Sequence, residues 1–263
     1  MKLKKYFSIL HISYRSYTVF FYDILGKNII YILRVLIILT LYKAIYKMWW
    51  SQHTGYTLEQ VGWWLIFVQS LVTSKTDISW EITQEVKSGN IVSYLLNPIS
   101  YVWYKFVSNI TQFSYNLSIN LAIGFILGYF YLSWIPFSLP WALWWFILLV
   151  GSMLMQFLAF MIIWLFAFHI EDTNWLKMIY GFLDRLFWWN ILPIPFFPLS
   201  VQQIIYLSPF AYTWYTAWLI FAKFEMSTFI YYISVQSIWI LFYIAVINVM
   251  YNRSRKRLEI NWW

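Results

Sequence analysis

Cysteine is absent from this sequence of 263 residues, and charged residues are scarce. The lack of cysteine excludes disulfide bonds, thiol redox chemistry and cysteine-ligated metal ions. Only 11% of the residues carry a charge, whereas 62% are hydrophobic and 24% are aromatic. A single soluble domain cannot bury that much apolar surface, so the composition predicts a protein that uses lipid as its solvent.

Several catalytic signatures are missing as well. The phosphate-binding loop of ATPases ends in Gly-Lys-Ser/Thr, whereas the only Gly-Lys pair here, Gly26-Lys27, is followed by Asn28. Neither a Gly-x-Ser-x-Gly motif nor a His-Glu-x-x-His motif occurs. The three histidines are far apart in the chain: His11, His53 and His169. We therefore expect no ATP hydrolysis, no metal site and no catalytic centre in this chain.

The apolar residues form long, continuous stretches. Such stretches suit helices that cross a bilayer, which need roughly 17 to 25 residues, and they lack the alternation of a β-barrel strand. The sequence predicts six transmembrane helices, at about 28–47, 59–74, 102–132, 141–167, 175–190 and 227–250. The third contains a small-xxx-small pair, Gly124 and Gly128, which permits close helix approach.

Basic residues gather at both ends of the chain. They are Lys2, Lys4, Lys5 and Arg15 near the start and Arg253, Arg255, Lys256 and Arg257 near the finish. The positive-inside rule explains both clusters without nucleic-acid binding, and it predicts that both termini are cytoplasmic. Residues 3–24 also repeat apolar side chains every three or four positions, which predicts an amphipathic helix at the membrane interface. We expect no removable signal peptide.

The most organised polar stretch is 77–98, with the sequence DISWEITQEVKSGNIVSYLLNP. Its acidic residues Asp77, Glu81 and Glu85 are four apart, so a helix presents three carboxylates on one face. Such a helix, held between two spans, suits docking into a groove on a soluble partner. A solvated loop with ordinary charges is the alternative interpretation, and the lack of a nearby histidine disfavours metal binding.

Two breaks follow within this stretch. Gly89 permits a sharp bend, and Asn97-Pro98 interrupts the chain before the next span. A second broken region is 188–222, which has no charge before residue 223 and contains four prolines: Pro193, Pro195, Pro198 and Pro209. It is too interrupted for one straight helix and too apolar for a solvated loop, so it predicts short re-entrant or interfacial helices at the outer face.

The polar stretch resembles the permeases of type-2 ABC exporters. The matching residues are Glu85-Val86-Lys87-Ser88-Gly89-Asn90-Ile91, followed by Leu95-Leu96-Asn97-Pro98. An amphipathic first helix, six spans and a proline-bearing insertion before the last span also follow the family's order, so the resemblance covers nearly the whole chain.

The resemblance implies an all-α polytopic permease, with residues 1–263 as a single transmembrane domain, 77–98 as the coupling helix and 3–24 as a connecting helix. It implies that the ATPase is contacted through Asp77, Glu81, Glu85, Val86, Gly89, Ile91, Leu95, Leu96 and Pro98. The partners would be two cytoplasmic ABC ATPase subunits, which hold ATP and Mg, a second permease that is identical or homologous, and membrane lipids. The expected location is the inner (plasma) membrane of a bacterium.

Asp184-Arg185 is the one ionisable pair inside a predicted span. It lies about 15 Å from the start of that span at 1.5 Å per residue, and charges at such depth usually serve a purpose. The pair is either a structural interhelical ion pair or a lining of the translocation route or dimer seam. A membrane-embedded enzyme acting on lipid, with Asp184, Arg185 and Glu171 as its polar centre, and a channel or scaffold subunit are the alternative functions.

Overall fold

The structure is a computed structural model. It describes residues 2–19, 21–48, 57–76, 81–82, 84–85, 88–90, 93–94, 101–132, 139–166, 174–188, 194, 197–213 and 225–260. Within these ranges the chain is almost entirely helical and has no strand. In chain order the helices are α1 (Lys2–Val19), α2 (Phe21–Met48), α3 (Leu58–Ser74), α4 (Tyr101–Leu132), α5 (Leu139–Phe166), α6 (Asn174–Trp188), α7 (Leu199–Leu207), α8 (Pro209–Thr213) and α9 (Met226–Ile260). The prediction of an all-α fold is confirmed for this part of the chain.

Four of these helices are long and apolar enough to cross a membrane. The candidate spans are Gly26–Tyr46 in α2, Tyr101–Leu132 in α4, Leu143–Phe166 in α5 and Met226–Tyr251 in α9. They coincide with the first, third, fourth and sixth predicted spans. The chain is therefore a helical membrane protein.

Helices α3 and α6 stand where the second and fifth spans were predicted, but both are short. With 17 and 15 residues they measure about 26 Å and 22 Å, against a hydrocarbon core of about 30 Å. Helix α3 begins at a capping box, in which the Thr57 hydroxyl accepts a hydrogen bond from the Gln60 amide and the Gln60 side chain accepts one from the Thr57 amide. Nearly all of α3 is buried among its neighbours.

Helices α2, α3 and α4 pack together because glycines let them approach closely. A Cβ atom added to Gly124 would lie 2.5 Å from the Tyr31 hydroxyl and 2.6 Å from the Ile66 side chain. A Cβ on Gly128 would lie within 3 Å of the Trp63 ring. The predicted role of this glycine pair in close helix approach is confirmed.

Buried hydrogen bonds tie the same three helices together. The Tyr31 and Ser70 hydroxyls are 2.8 Å apart, which joins α2 to α3. The Asn120 side-chain amide donates to the Ser74 hydroxyl over 2.8 Å, which joins α4 to the last residue of α3. The three hydroxyls and the Asn120 amide nitrogen are thus paired inside the bundle, whereas the buried Asn120 Oδ1 atom has no partner among the described residues.

The second group of helices forms around α5 and α9, which pack along each other. Gln236 of α9 is buried, and its side-chain amide donates to the Tyr212 carbonyl oxygen over 3.0 Å, with the Ser152 hydroxyl also within reach at 3.2 Å. Gly151 of α5 makes room for this side chain. The short helix α8 is thereby fixed to both long helices.

The predicted broken region contains α7 and α8. Pro198 directly precedes α7 and Pro209 is the first residue of α8, positions where a missing backbone N–H costs nothing. The short helices are confirmed, while their re-entrant course stays a prediction. Pro193 and Pro195 lie outside the described residues.

Helix boundaries differ from the sequence prediction at both termini. The amphipathic helix was predicted over 3–24, whereas α1 ends at Val19 and α2 already begins at Phe21. The last span was predicted to end near residue 250, but α9 continues as one helix to Ile260 and includes the basic cluster. Charged residues such as arginine and lysine are good helix formers, so nothing in that stretch stops the helix.

Replacing Gly128 with alanine tests the close packing of α3 and α4. We expect Gly128→Ala to lower the free energy of unfolding by about 1 to 3 kcal/mol, because the added methyl group meets the Trp63 ring. Gly26→Ala is the matched control, since a Cβ there has nothing within 4 Å. Thermal unfolding of the purified chain in detergent, followed by tryptophan fluorescence, measures both. Equal stability of the two variants would show that the contact is not tight.

Candidate functional site

The segment between α3 and α4 lies against the N-terminal half of α4. Just after α3, the Asn109 side-chain amide donates a hydrogen bond to the Thr76 hydroxyl. Further on, Ile82 is fully buried in an apolar cluster with Tyr101 and Trp164. The segment is therefore anchored on both α4 and α5 rather than held away from the bundle.

Two carboxylates of the segment meet one lysine of α4. Lys105 Nζ lies 2.8 Å from a Glu85 oxygen and 3.2 Å from a Glu81 oxygen. The Lys105 side chain is 5% exposed, that of Glu85 17% and that of Glu81 46%. The prediction that Glu81 and Glu85 share one face is confirmed. Glu85 faces the helix bundle, and Glu81 keeps about half of its surface available to a partner.

Tyrosines enclose this ion-pair cluster. The Tyr101 hydroxyl donates to the second Glu85 oxygen over 2.5 Å. The Tyr94 ring stacks on the Tyr104 ring with centroids 5.8 Å apart and touches Tyr101 at 6.0 Å. Glu85 therefore has a partner for each oxygen, and the apolar rings around it keep water away from the charges, which strengthens their attraction.

Gly89 forms the turn in the middle of the segment. Its φ is +73°, in the left-handed region that costs other residues about 1 to 2 kcal/mol. The Ser88 amide donates to the Gln84 carbonyl oxygen over 2.9 Å, and the Ser93 amide to that of Asn90 over 3.2 Å. The predicted sharp bend is confirmed. Asp77, Val86, Ile91, Leu95, Leu96 and Pro98 lie outside the described residues.

A second ion pair joins the start of the segment to α6. Lys75, the residue after α3, has its Nζ 2.5 Å from an Asp184 oxygen, and the two side chains are 18% and 9% exposed. The other Asp184 oxygen, Oδ1, is buried and has no hydrogen-bond partner among the described residues. An interhelical ion pair was one of the two interpretations of Asp184. The side chain of Arg185 lies outside the described residues.

Together these contacts make a mechanical anchor. Lys105 joins the segment to α4. Lys75, the first residue of the segment, joins it to α6, and Ile82 packs it against α5. In the described part of the chain, no three histidine or acidic side chains are grouped as metal ligands. The arrangement suits the transfer of force between the segment and the helices.

Neither Lys75 nor Lys105 was predicted from the sequence to belong to the site. Lys105 is the fourth residue of the predicted third span, and a charge there needs a counter-charge, so the carboxylates shortly before it in the chain were the available signal. Lys75 is separated from Asp184 by 109 positions, and helical periodicity carries no information about such a distant pair.

A search of models of known protein families finds no match to this chain. A search of curated proteins finds none either.

The buried Lys75–Asp184 pair can be tested by removing one charge or both. We expect Lys75→Met to lower the free energy of unfolding by about 3 to 5 kcal/mol, because the buried Asp184 carboxylate loses this partner, and Asp184→Leu to lower it less, since the Lys75 side chain is partly exposed. The double variant should recover most of this loss, since two apolar side chains replace the pair. Thermal unfolding of the three variants gives the comparison. A double variant as unstable as the sum of the single ones contradicts the pairing.

Proposed function

We propose that this chain is the transmembrane permease of an ATP-driven ABC exporter, whose ATP is hydrolysed by a separate cytoplasmic subunit. The observation that carries the proposal is the anchored segment between α3 and α4. It is polar, its Glu81 carboxylate is half exposed, a sharp turn follows at Gly89, and its ion pairs lead to α4 and α6. Its resemblance to the coupling motif of type-2 ABC permeases supports the same function.

In this proposal the chain crosses the membrane six times, with α3 and α6 as the second and fifth spans. Both termini lie in the cytoplasm, because the basic residues gather at the two ends of the chain. The organism is a bacterium, as the resemblance implies. Two permeases, identical or homologous, form the translocation route at their seam. Two ATPase subunits bind ATP and Mg and dock on the two anchored segments.

The contacts of the segment suggest how force would travel. Glu81 is the exposed carboxylate and contacts the ATPase, while Glu85 and Lys105 keep the segment seated on α4. When the ATPases close on ATP, they push the segment. The ion pair to Lys105 moves α4, and the pair between Lys75 and Asp184 moves α6. Breaking either ion pair would leave a poorly solvated charge, so the helices follow the segment instead of separating from it.

A membrane-embedded enzyme acting on lipid is the second candidate. The observation that favours it is the buried Oδ1 atom of Asp184, which has no hydrogen-bond partner among the described residues. An enzyme of this kind is active as the purified chain, without ATP and without an ATPase partner. Its activity would also disappear in Asp184→Asn, a variant that leaves the surface of the 77–98 segment unchanged.

Purification of the tagged chain from its native membrane separates the two candidates. The exporter proposal expects an ABC ATPase to remain bound, at one copy per permease, and mass spectrometry identifies it. The same sample shows whether a second, homologous permease is present. Recovery of the chain alone, in a detergent that keeps other ABC complexes intact, contradicts the exporter proposal and favours the enzyme.

Charge reversal at Glu81 tests the docking surface. We expect Glu81→Lys to reduce the amount of bound ATPase about fivefold or more, because a positive charge replaces a negative one at the contact. Stability should also fall, because the new ammonium replaces a carboxylate 3.2 Å from the buried Lys105 Nζ, so binding is compared at equal amounts of folded chain. Glu59→Lys, at the opposite end of α3, is the matched control and should bind normally. Normal ATPase binding by Glu81→Lys rules out this surface.

A further inference from the structure

A groove separates α1 from α4 along part of their contact. Its volume is about 390 Å³. Leu10 and Tyr14 of α1 form one wall, and α4 forms the other between Ile110 and Ala122. The Tyr14 and Tyr115 rings meet edge to face with centroids 5.3 Å apart, so α1 is held on α4 beside the open groove.

Two of the hydroxyl groups in this groove, those of Ser118 and Thr111, are already used by their own helix. The Ser118 hydroxyl donates to the Ser114 carbonyl oxygen over 2.8 Å, and the Thr111 hydroxyl donates to that of Val107 over 2.7 Å. A hydroxyl bonded in this way has no proton to offer a ligand. The groove therefore presents an apolar surface and suits a hydrocarbon chain better than a polar molecule.

The groove lies at the level where α2 starts to cross the membrane. The candidate span of α2 begins at Gly26. The next residue, Lys27, lines a small polar pocket together with Asn116 and Ile119 of α4. Ile119 lines the groove as well. Lys27 thus places this part of the groove at the start of the α2 span, near the depth of lipid headgroups and upper acyl chains.

Basic residues lie on α1 and at the start of the α2 span. Helix α1 contains three lysines and one arginine and no acidic residue. Arg15 follows Tyr14 of the groove wall, and Lys27 is exposed beside Ile119. Basic residues next to a membrane attract anionic lipid headgroups by about 1 kcal/mol each. The charge thus selects the headgroup, and the apolar groove accepts the chain attached to it.

We propose that the groove between α1 and α4 holds one acyl chain of an anionic phospholipid, with its headgroup beside Arg15 and Lys27. The lipid fills the space between α1 and α4, and it fixes their separation. This assignment does not depend on transport or on an ATPase partner, because it follows from the groove and the charges of this chain alone.

Native mass spectrometry of the full purified chain tests the proposal, with phosphatidylglycerol and phosphatidylcholine added in equal amounts. We expect phosphatidylglycerol to be the main bound lipid. Ala122→Trp fills the groove and should reduce its occupancy about tenfold, since the acyl chain loses its buried contacts. Ile126→Trp is the control. Its side chain is exposed on the same helix, one turn beyond the groove, so it should bind as the unchanged protein does.

The headgroup is tested by Arg15→Gln combined with Lys27→Gln, which should remove the preference for phosphatidylglycerol over phosphatidylcholine. Equal occupancy in Ala122→Trp and Ile126→Trp overturns the groove as the site, and equal binding of both lipids by the unchanged chain overturns the anionic class. A phosphatidylglycerol with a photoreactive acyl chain keeps the proposal testable if a variant fails to fold. Crosslinks to the unchanged protein should fall within 10–14 or 110–122, and crosslinks confined to other segments reject the site.

Discussion

Close contact between α3 and α4 is the constraint on which the candidate site depends. Gly124 and Gly128 bring α4 against Ile66 and Trp63 of α3, and hydrogen bonds of Asn120 hold the end of α3 at the same seam. The polar segment begins where α3 ends and finishes where α4 begins. Because both of its ends belong to helices that cannot separate, the segment is fixed at its two ends before any of its own contacts form.

The ion pairs then fix its course between those ends. Lys105 and Asp184 are both buried, and a buried charge that loses its partner costs several kcal/mol. If the segment left α4, the Lys105 ammonium would stay buried in apolar surroundings without its carboxylates. If it left α6, the Asp184 carboxylate would stay buried without Lys75. Charge pairing thus adds a directional link to the apolar packing of Ile82.

Much of this arrangement follows from sequence patterns that act locally. Continuous apolar stretches predicted the positions of α2, α4, α5 and α9, and four-residue spacing placed Glu81 and Glu85 on one face. The same patterns placed α3 and α6 to within about two residues at each end, since 59–74 and 175–190 were predicted and the helices are Leu58–Ser74 and Asn174–Trp188. The partner of Asp184 was not predictable, since periodicity identifies the buried face of a helix but not the helix that covers it.

The central claim is that the segment between α3 and α4 is held rigidly on the helices by Lys105. The chain has no cysteine, so spin labels can be introduced directly at Ser88→Cys and Ile126→Cys, both exposed positions. Pulsed electron paramagnetic resonance of this doubly labelled chain should give one narrow distance distribution, which Lys105→Met broadens. A broad distribution in the presence of Lys105, or one that Lys105→Met leaves unchanged, would contradict the claim.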